Sequence, residues 1–325
     1  MRKVILITGC AGFIGFHLSK ALLNDKNNKI IGIDNLNKYY DVSLKNNRLK
    51  ILKKFNNFYF YKINIQNQKK LKNIFEDNKI KIVINLAAQA GVRYSITNPR
   101  EYLDFNVNGF FNILELSRLF KIKHLVFAST SSVYGDSNDF PLSEEIKTDS
   151  PLSFYAATKK SNEVFAHSYS NIYKLQCTGL RFFTVYGTYG RPDMALHKFV
   201  KSNIENKKIN LFNYGKHKRD FTHVNDIVQG IEKIINYKNV KKIPYEIFNI
   251  GSNKPINLKE FIKIIEKITN KRFKIVNLPL QKGDVEKTHA NISKISKYLN
   301  YKPKVNIKDG VKEYIDWYKE YYKIL

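Results

Sequence analysis

The stretch KVILITGCAGFIGFHLSKALL, residues 3–23, decides the fold of this chain. Its apolar run at 3–8 predicts a buried strand, and the residues from 11 to 25 predict a helix. The glycines between them have GxxGxxG spacing, which permits a tight turn and a close approach of the backbone to a pyrophosphate at the helix N-terminus. The turn therefore predicts a dinucleotide site formed by Gly9, Gly12, Phe13, Ile14 and Gly15.

An acidic residue at the end of the second strand supports this prediction. Asp34 closes the apolar run 29–34, about 20 residues beyond the glycines, where a carboxylate accepts hydrogen bonds from the adenosine ribose. Its negative charge would repel a 2′-phosphate. We therefore expect NAD rather than NADP as the cofactor, although Lys38 nearby leaves NADP open.

Apolar runs and helical patterns alternate along most of the chain. Further strands are predicted at 57–65, 81–88, 124–130, 176–182 and 245–251, and further helices at 68–77, 102–120 and 154–173. Buried strands that alternate with helices predict an α/β fold with a doubly wound, Rossmann-type parallel sheet. The composition of 245–251 favours a central strand, and ligands are expected beyond the carboxyl ends of the strands.

The pattern becomes less regular in the second half of the chain. Short strands and loops are predicted between Arg181 and Gly215, and 257–325 is mostly amphipathic helix. We therefore predict an NAD-binding domain at 1–183, to which 220–251 returns. A smaller, partly interleaved C-terminal domain at 184–325 would mainly bind substrate.

Charge is the unusual feature of the composition. The 325 residues include 56 Lys and Arg against 28 Asp and Glu, which gives a net charge of +28. Such a chain can bind nucleic acid, but its lysines are spread along the whole sequence, without zinc-finger spacing, an RNA-binding aromatic motif or a basic arm. We expect no specific nucleic-acid partner, and a positive field that attracts an anionic substrate.

Cysteine spacing and apolar run lengths indicate the compartment. Cys10 and Cys177 are far apart and form no metal or redox motif, so we expect no metal and a reducing cytoplasm. No run approaches the roughly 18 apolar residues of a membrane span, so we expect no membrane partner. The first apolar run is too short for a signal-peptide core.

A tyrosine and a lysine lie four residues apart in SFYAATKKSNEVF, residues 153–165. Tyr155 and Lys159 would share one helical face, where the ammonium lowers the pKa of the phenol and lets it exchange a proton near neutral pH. The spacing alone is weak because the chain contains 21 Tyr. The hydroxyl-rich FASTSSVYG, residues 127–135, ends a strand on the side where a substrate should lie.

Together these motifs resemble the extended short-chain dehydrogenases/reductases, and among them the nucleotide-sugar epimerases. The resemblance covers nearly the whole chain and rests on TGCAGFIG, NLAAQAGVRYS, STSSVYG, YAATKKSNE, RFFTVYG, GRPDMA, RDFTHVNDI and GDV. It implies an enzyme with tightly bound NAD+ that acts on a UDP-sugar. It also implies a homodimer built from the helices at 102–120 and 153–172.

The resemblance implies individual roles as well. Tyr155 resembles the catalytic base, Lys159 the residue that lowers its pKa and holds the nicotinamide ribose, and Thr130 the hydroxyl that bonds the reacting oxygen. Tyr134 is a rival base without a lysine at the right offset. Further cofactor contacts are expected from Asn64, Ile65, Ala87 and Gln89. Asn64 departs from the family, which usually has Asp there to bind adenine.

Three other positions are expected near the site. Asn106 and Asn108 lie in the helix predicted beneath it, where Asn106 would either orient backbone near Lys159 or fill a polar core position. His197 stands where the family more often has an aromatic residue near the uracil.

The residues after Thr130 indicate the reaction type. Related 4,6-dehydratases and decarboxylases carry acidic residues there, whereas this chain has Ser131 and Ser132, whose hydroxyls are poor general acids or bases at pH 7. We therefore expect a 4-epimerase. A 4-keto sugar would form, turn over in the pocket and be reduced from the opposite face.

The sugar is indicated by two segments, RFFTVYG and GRPDMA. Thr184, which is Asn in many galactose-type epimerases, and Arg191 make the chain similar to UDP-glucuronate 4-epimerases. Ser132, Thr184 and Arg191 would bind the C6 carboxylate, although a surface or diphosphate-facing Arg191 remains open. The substrate residues implied are Arg93, Ser131, Ser132, Thr184, Arg191, Arg219 at the diphosphate and Asp284 near the uridine ribose. A UDP-N-acetylglucosamine or UDP-glucose 4-epimerase and a non-catalytic NAD-binding protein remain as alternatives.

Overall fold

The structure is a computed structural model that describes residues 3–281 and 283–324. Its strands are β1 (Lys3–Thr8), β2 (Asn28–Asp34), β3 (Phe58–Lys62), β4 (Ile82–Asn85), β5 (His124–Thr130), β6 (Cys177–Phe182), β7 (Thr184–Tyr186), β8 (Lys208–Phe212), β9 (Lys218–His223), β10 (Tyr245–Ile250), β11 (Pro255–Asn257) and β12 (Lys274–Leu278).

The α-helices are α1 (Phe13–Leu23), α2 (Val42–Leu52), α3 (Gln68–Asn78), α4 (Val92–Thr97), α5 (Pro99–Tyr102), α6 (Gly109–Leu119), α7 (Phe154–Tyr173), α8 (Ala195–Ile204), α9 (Val224–Ile235), α10 (Leu258–Thr269), α11 (Ser293–Leu299) and α12 (Ile307–Tyr321). A π-helical segment, Leu103–Asn108, joins α5 to α6, and 3-10 turns cover Ser131–Tyr134 and Asn213–Gly215.

Seven parallel strands form the central sheet, in the order β10-β6-β5-β4-β1-β2-β3. Alternate residues of β1 pack on opposite faces: Ile5 and Ile7 belong to the apolar cluster with α1 and α9, and Leu6 to the cluster with α3, α6 and α7. A strand buried on both faces has to be apolar throughout. The predicted α/β, doubly wound class is confirmed, and the strand order reverses between β1 and β4, where ligands bind in such sheets.

The second half of the chain adds two small sheets. Strands β7, β9 and β11 form one, and β8 pairs in parallel with β12 in the other. Helices α8, α10 and α12 bury their apolar faces against these strands. In this core the rings of Phe221 and Phe261 stack with centroids 4.3 Å apart.

Part of the second half packs with the large sheet. Helix α9 packs in the same apolar cluster as α1, and β10 pairs with β6. Strand β9, however, belongs to a small sheet. The division into a cofactor-binding and a substrate-binding domain remains a prediction.

Strand β10 is an edge strand, so the prediction of a central strand at 245–251 was wrong. A loop covers this edge: the Asn249 backbone N–H donates to Glu144 at 2.8 Å, and the Asn249 amide donates to the Leu142 carbonyl at 2.8 Å. Because the edge is covered and its backbone is bonded, the strand can be as apolar as a central one.

Other differences concern the type and length of single elements. Helix α8 lies in the stretch predicted as short strands and loops. Strand β12 interrupts the predicted helical tail, and its pairing with β8 is a long-range contact that a local pattern does not indicate. Strands β3 and β4 are shorter than predicted, since the chain leaves the sheet at Asn64 and Ala87 to line a cavity. Across the described ranges, no helix is both long enough and apolar enough to cross a membrane.

Candidate active site

A cavity of about 660 Å³ opens at the carboxyl ends of β1, β2, β4 and β5. Its size is in the range of small-molecule sites. The residues predicted to act in catalysis, cofactor binding or substrate binding all line it: Gly9, Gly12, Phe13, Ile14, Gly15, Asp34, Asn64, Ile65, Ala87, Gln89, Arg93, Thr130, Ser131, Ser132, Tyr155, Lys159, Thr184, Arg191, Arg219 and Asp284. Their individual roles remain predictions.

The glycine turn between β1 and α1 is shaped by close backbone contacts. Gly9 has a φ of +70°, and a Cβ there would lie 2.8 Å from the Ala87 nitrogen. A Cβ on Gly15 would overlap the Gly9 carbonyl oxygen. Only glycine fits these positions, and the turn brings the first N–H groups of α1 to the cavity, as pyrophosphate binding requires.

The far end of the same groove carries polar groups suited to a nucleoside. The Asp34 carboxylate accepts hydrogen bonds from the Ala11 N–H at 3.1 Å and the Leu36 N–H at 2.8 Å, and burial raises its pKa. The Gln89 amide nitrogen is buried without a hydrogen-bond partner among the described residues. An unpaired buried donor is costly, so this group fits a bound dinucleotide.

The predicted catalytic pair lies at the start of α7. The Ser153 hydroxyl caps this helix by accepting a hydrogen bond from the Ala156 N–H at 3.2 Å. Tyr155 and Lys159 follow one turn apart on the cavity wall. Burial lowers the pKa of Lys159 to about 8, and the charge of Glu163 opposes that shift.

The pKa of Tyr155 is governed mainly by the burial of its phenol. Burial raises the pKa of the phenol, and the opposing influences are a hydrogen bond with Thr130 and the positive charge of Arg191. In the protein without bound ligands, the desolvation of the phenolate raises the pKa by more than the hydrogen bond and the charge together lower it. Arg191 is one cation that acts to lower the pKa of Tyr155. That Lys159 also lowers it remains a prediction.

Asn106, in the π-helical segment, supports the cavity floor. Its side chain accepts from the Gln89 N–H at 2.8 Å and donates to the Gln89 carbonyl at 2.9 Å and the Thr158 hydroxyl at 3.1 Å. It thus holds the Gln89 backbone and the hydroxyl of Thr158, the residue before Lys159. A role in orienting backbone near Lys159 remains a prediction. Asn108 does not lie beneath the site as expected, because its position on the helix faces solvent.

Thr130 and Tyr134 occupy different environments although they belong to one motif. The Thr130 hydroxyl lies in the cavity, donates to the Ser132 hydroxyl at 3.2 Å and accepts from the Ser132 N–H. The Tyr134 hydroxyl instead donates to Asn249 at 2.7 Å in the core, and burial raises its pKa to about 12. The geometry therefore favours Tyr155 over Tyr134 as the base.

Arg191 reaches the cavity, but it already has an internal partner. It forms a two-bond ion pair with Asp193, at 3.0 and 2.5 Å, and the Tyr39 hydroxyl donates to the same carboxylate at 3.2 Å. Burial opposes the ionised states, yet the mutual attraction raises the pKa of Arg191 and lowers that of Asp193.

A second charged group occupies the end of the cavity formed by the C-terminal segments. The Arg219 guanidinium donates to the Asp284 carboxylate at 2.9 Å and to the Val285 carbonyl at 2.6 Å, and Arg93 lies 3.7 Å from the same carboxylate. The His217 Nε2 lies 3.6 Å from Asp284 and has no hydrogen-bond partner among the described residues. These groups suit a diphosphate and a ribose.

Some lining residues were not predicted from the sequence, and His197, like Asn108, lies elsewhere than expected. Asp193, Tyr39, Lys198 and His217 line the cavity; Asp193 follows Arg191 by two positions in the quoted GRPDMA motif, so that signal was present. His197 was expected near the uracil but packs outside this cavity, where its Nδ1 and the Tyr314 hydroxyl lie 2.8 Å apart. Ala195, Lys198 and Phe199 of α8 line the cavity, whereas His197 lies on the part of the helix turned toward Tyr314.

The charges on the cavity wall suit an anion. Its charged lining residues are Lys45, Arg93, Lys159, Arg191, Lys198 and Arg219 against Asp34, Asp193 and Asp284. An excess of cations in a concave site attracts anionic ligands. In the part of the chain that the structure describes, no group of three or more His, Cys, Asp or Glu could hold a metal ion.

Comparison with known proteins gives consistent matches along the chain. A family model described as GDP-mannose 4,6 dehydratase matches residues 6–314. The chain is similar to Protein CapI of Staphylococcus aureus (48% identical, 98% of this chain and 99% of that protein) and to UDP-glucuronate 4-epimerase of Thermodesulfobacterium geofontis (45%, 97% and 96%). Its fold is similar to that of UDP-glucuronic acid 4-epimerase from Bacillus cereus in complex with UDP-glucuronic acid and NAD, with a TM-score of 0.93 and 35% identity over 98% of this chain and 100% of that one.

Proposed function

We propose that this chain, which belongs to the family of the GDP-mannose 4,6 dehydratase model within the extended short-chain dehydrogenases/reductases, is an NAD-dependent UDP-glucuronate 4-epimerase. The reaction interconverts UDP-glucuronate and UDP-galacturonate through a transient 4-keto sugar. One observation carries the proposal: the Tyr155–Lys159 pair faces the same cavity as Arg191 and a set of hydroxyl groups.

The glycine turn, Asp34 and Gln89 would hold the cofactor. The turn offers N–H groups to the pyrophosphate, Asp34 can accept from the ribose, and the unpaired Gln89 amide can donate. Bound NAD would supply reversible hydride transfer at C4 of the sugar.

Tyr155 would take the proton from the C4 hydroxyl and return it after the sugar has turned. Because burial raises the pKa of this phenol, the group rests protonated at neutral pH and needs help to act as a base. The Thr130 hydroxyl and the Arg191 charge act in that direction in the protein. Lys159, held in the cavity wall, would add a positive charge beside the ribose.

Hydroxyl groups and one guanidinium would hold the C6 carboxylate. Ser131, Ser132 and Thr184 line the cavity together with Arg191. Contacts from these groups keep the carboxylate out of the alignment in which the β-keto acid loses CO2. The serines after Thr130 also supply no carboxyl group for dehydration, which favours epimerisation.

The function is tested by incubating the purified protein with NAD and UDP-glucuronate and following the anomeric protons by NMR. We expect UDP-galacturonate to accumulate to a stable mixture, and conversion to be slower by orders of magnitude with Tyr155→Phe. Turnover of UDP-glucose or UDP-N-acetylglucosamine but not of UDP-glucuronate would overturn the substrate. A pentose product with CO2 would overturn the role given to the carboxylate-binding residues.

A homodimer is part of the proposal. Apolar side chains are exposed along neighbouring helices, with Phe111 and Leu119 on α6 and Val164 and Ile172 on α7 exposed by 46%, 49%, 54% and 61%. Their spacing places them along one side of each helix, and exposed apolar patches of this kind mark interfaces. The occupant we propose is a second copy of this chain.

A cytoplasmic location also remains a proposal. It is supported by the two cysteines, Cys10 and Cys177, which are both free and buried. Burial raises the pKa of both thiols. Because they are buried and stay protonated, they are protected from oxidation.

A further inference from the structure

Arg191 and Asp193 form an ion pair on the cavity wall that the proposed reaction does not require. The Arg191 Nε donates to Asp193 Oδ1 at 3.0 Å, and Nη2 donates to Oδ2 at 2.5 Å. The two side chains are 20% and 28% exposed. The Tyr39 hydroxyl, from the loop after β2, donates to the same Oδ2 at 3.2 Å, so Asp193 is fixed by groups from two separate loops.

The ion pair uses only one edge of the guanidinium. Arginine has five N–H donors, and two of those on Arg191 point at Asp193. The opposite edge, which carries Nη1, bonds no acceptor among the residues that the structure describes. A planar guanidinium can bind a second carboxylate along such an edge.

We propose that Asp193 is a specificity-determining residue, a built-in counter-ion that competes with the C6 carboxylate of an acidic sugar for Arg191. The inference rests on the proposed function, because it requires a uronate substrate. A bound uronate would place two carboxylates against one guanidinium, and their repulsion in a poorly solvated cavity weakens its binding. Arg191 therefore holds the carboxylate reversibly.

A reversible hold suits a reaction in which the sugar has to turn. The 4-keto ring must present its other face to the cofactor, and a carboxylate locked onto Arg191 would hinder that rotation. Asp193 keeps Arg191 paired whenever the carboxylate moves away. Without Asp193, release would leave a guanidinium unpaired in the cavity wall, which is unfavourable.

The test compares two ligands that differ only at C6. The dissociation constants of UDP-glucuronate and UDP-glucose are measured by titration calorimetry on the NAD-loaded enzyme and on Asp193→Asn. We expect Kd for UDP-glucuronate to fall about ten-fold in the variant while Kd for UDP-glucose changes little. In turnover of UDP-glucuronate, KM and kcat should both fall. Tyr39→Phe, which removes a hydroxyl from Asp193 but keeps both charges, should leave the ratio of the two Kd values unchanged.

Other outcomes would overturn the inference. Weaker binding of UDP-glucuronate by Asp193→Asn, or an equal change for both ligands, would mean that Asp193 merely positions Arg191. Asp193→Ser is a second variant that removes the same charge, and the same change in the ratio of Kd values is expected of it. The ratio of Kd for UDP-glucuronate to Kd for UDP-glucose, measured on one preparation, does not depend on the fraction of protein that is folded. If the unmodified enzyme converts UDP-glucuronate but Asp193→Asn leaves the ratio of the two Kd values unchanged, the counter-ion role is refuted and the proposed function stands. If it does not convert UDP-glucuronate, the proposed function fails.

Discussion

Replacing Glu163 by Gln tests how much a buried ion pair beneath the catalytic helix contributes. The Glu163 carboxylate accepts from the Ser129 hydroxyl at 2.6 Å and from Arg181 Nε and Nη2 at 2.9 and 2.8 Å. The two charged side chains are only 4% and 5% exposed. Glu163→Gln keeps the size of the side chain but leaves the Arg181 charge uncompensated in the core.

The expected loss follows from this burial. Removing one partner of a buried pair costs about 3–5 kcal/mol, whereas typical domains are stable by about 5–15 kcal/mol. Glu163→Gln should therefore lower the free energy of unfolding by a large fraction. Glu76→Gln is the matched control, because Glu76 pairs with Lys72 at 3.4 Å on an exposed part of α3. It should change stability by less than about 0.5 kcal/mol.

Urea unfolding, followed by circular dichroism and fluorescence at one protein concentration, measures both variants. Coincident transitions are required before the free energies are compared. Equal losses at Glu163 and Glu76 would refute the argument that burial decides the cost. A loss below about 1 kcal/mol at Glu163 would show that water or a neighbour replaces the carboxylate.

Three further outcomes are expected. Tyr155→Phe should lower kcat about 10²–10⁴-fold. Tyr134→Phe should leave kcat within the same order of magnitude, because the Tyr134 hydroxyl bonds a core amide. NMR assays of turnover measure kcat for both variants. Ile172→Lys should convert a dimer into a monomer, as measured by light scattering. Val240→Lys should not, because Val240 is 94% exposed at a position away from the exposed apolar side chains of α6 and α7. In nucleotide-free protein, Lys159 should make the free energy of unfolding rise between about pH 8 and pH 10.5, because its ammonium loses a proton at a lower pH in the folded protein than in the unfolded chain. Lys159→Met should abolish this contribution, which urea unfolding at a series of pH values measures.

Local motifs account for the parts of the site that the sequence predicted well. The glycine turn is constrained by contacts within a short stretch around Gly9 and Gly15, and the Tyr155–Lys159 spacing is fixed by one helical turn. Such constraints act between residues that are close in sequence. The parallel sheet followed in the same way, since strands covered by helices on both faces must be apolar along their length.

The missed features depend on contacts between distant parts of the chain. Tyr39 reaches Asp193 across 154 positions, and no local pattern reports that approach. The pKa of Tyr155 depends on burial and on Arg191, which arrives from another loop. Likewise, the apolar composition of β10 is explained by a covering loop around Leu142 rather than by a central place in the sheet.

The pairing of β10 with β6 has a consequence for synthesis on the ribosome. Strand β6 ends at Phe182 and its outer neighbour begins at Tyr245. At about 5–20 residues per second, several seconds pass before that neighbour is made. Until then β6 presents unpaired N–H and C=O groups, which can pair with another nascent chain. Chains that terminate before Tyr245 should therefore aggregate, even though six strands of the sheet are already complete.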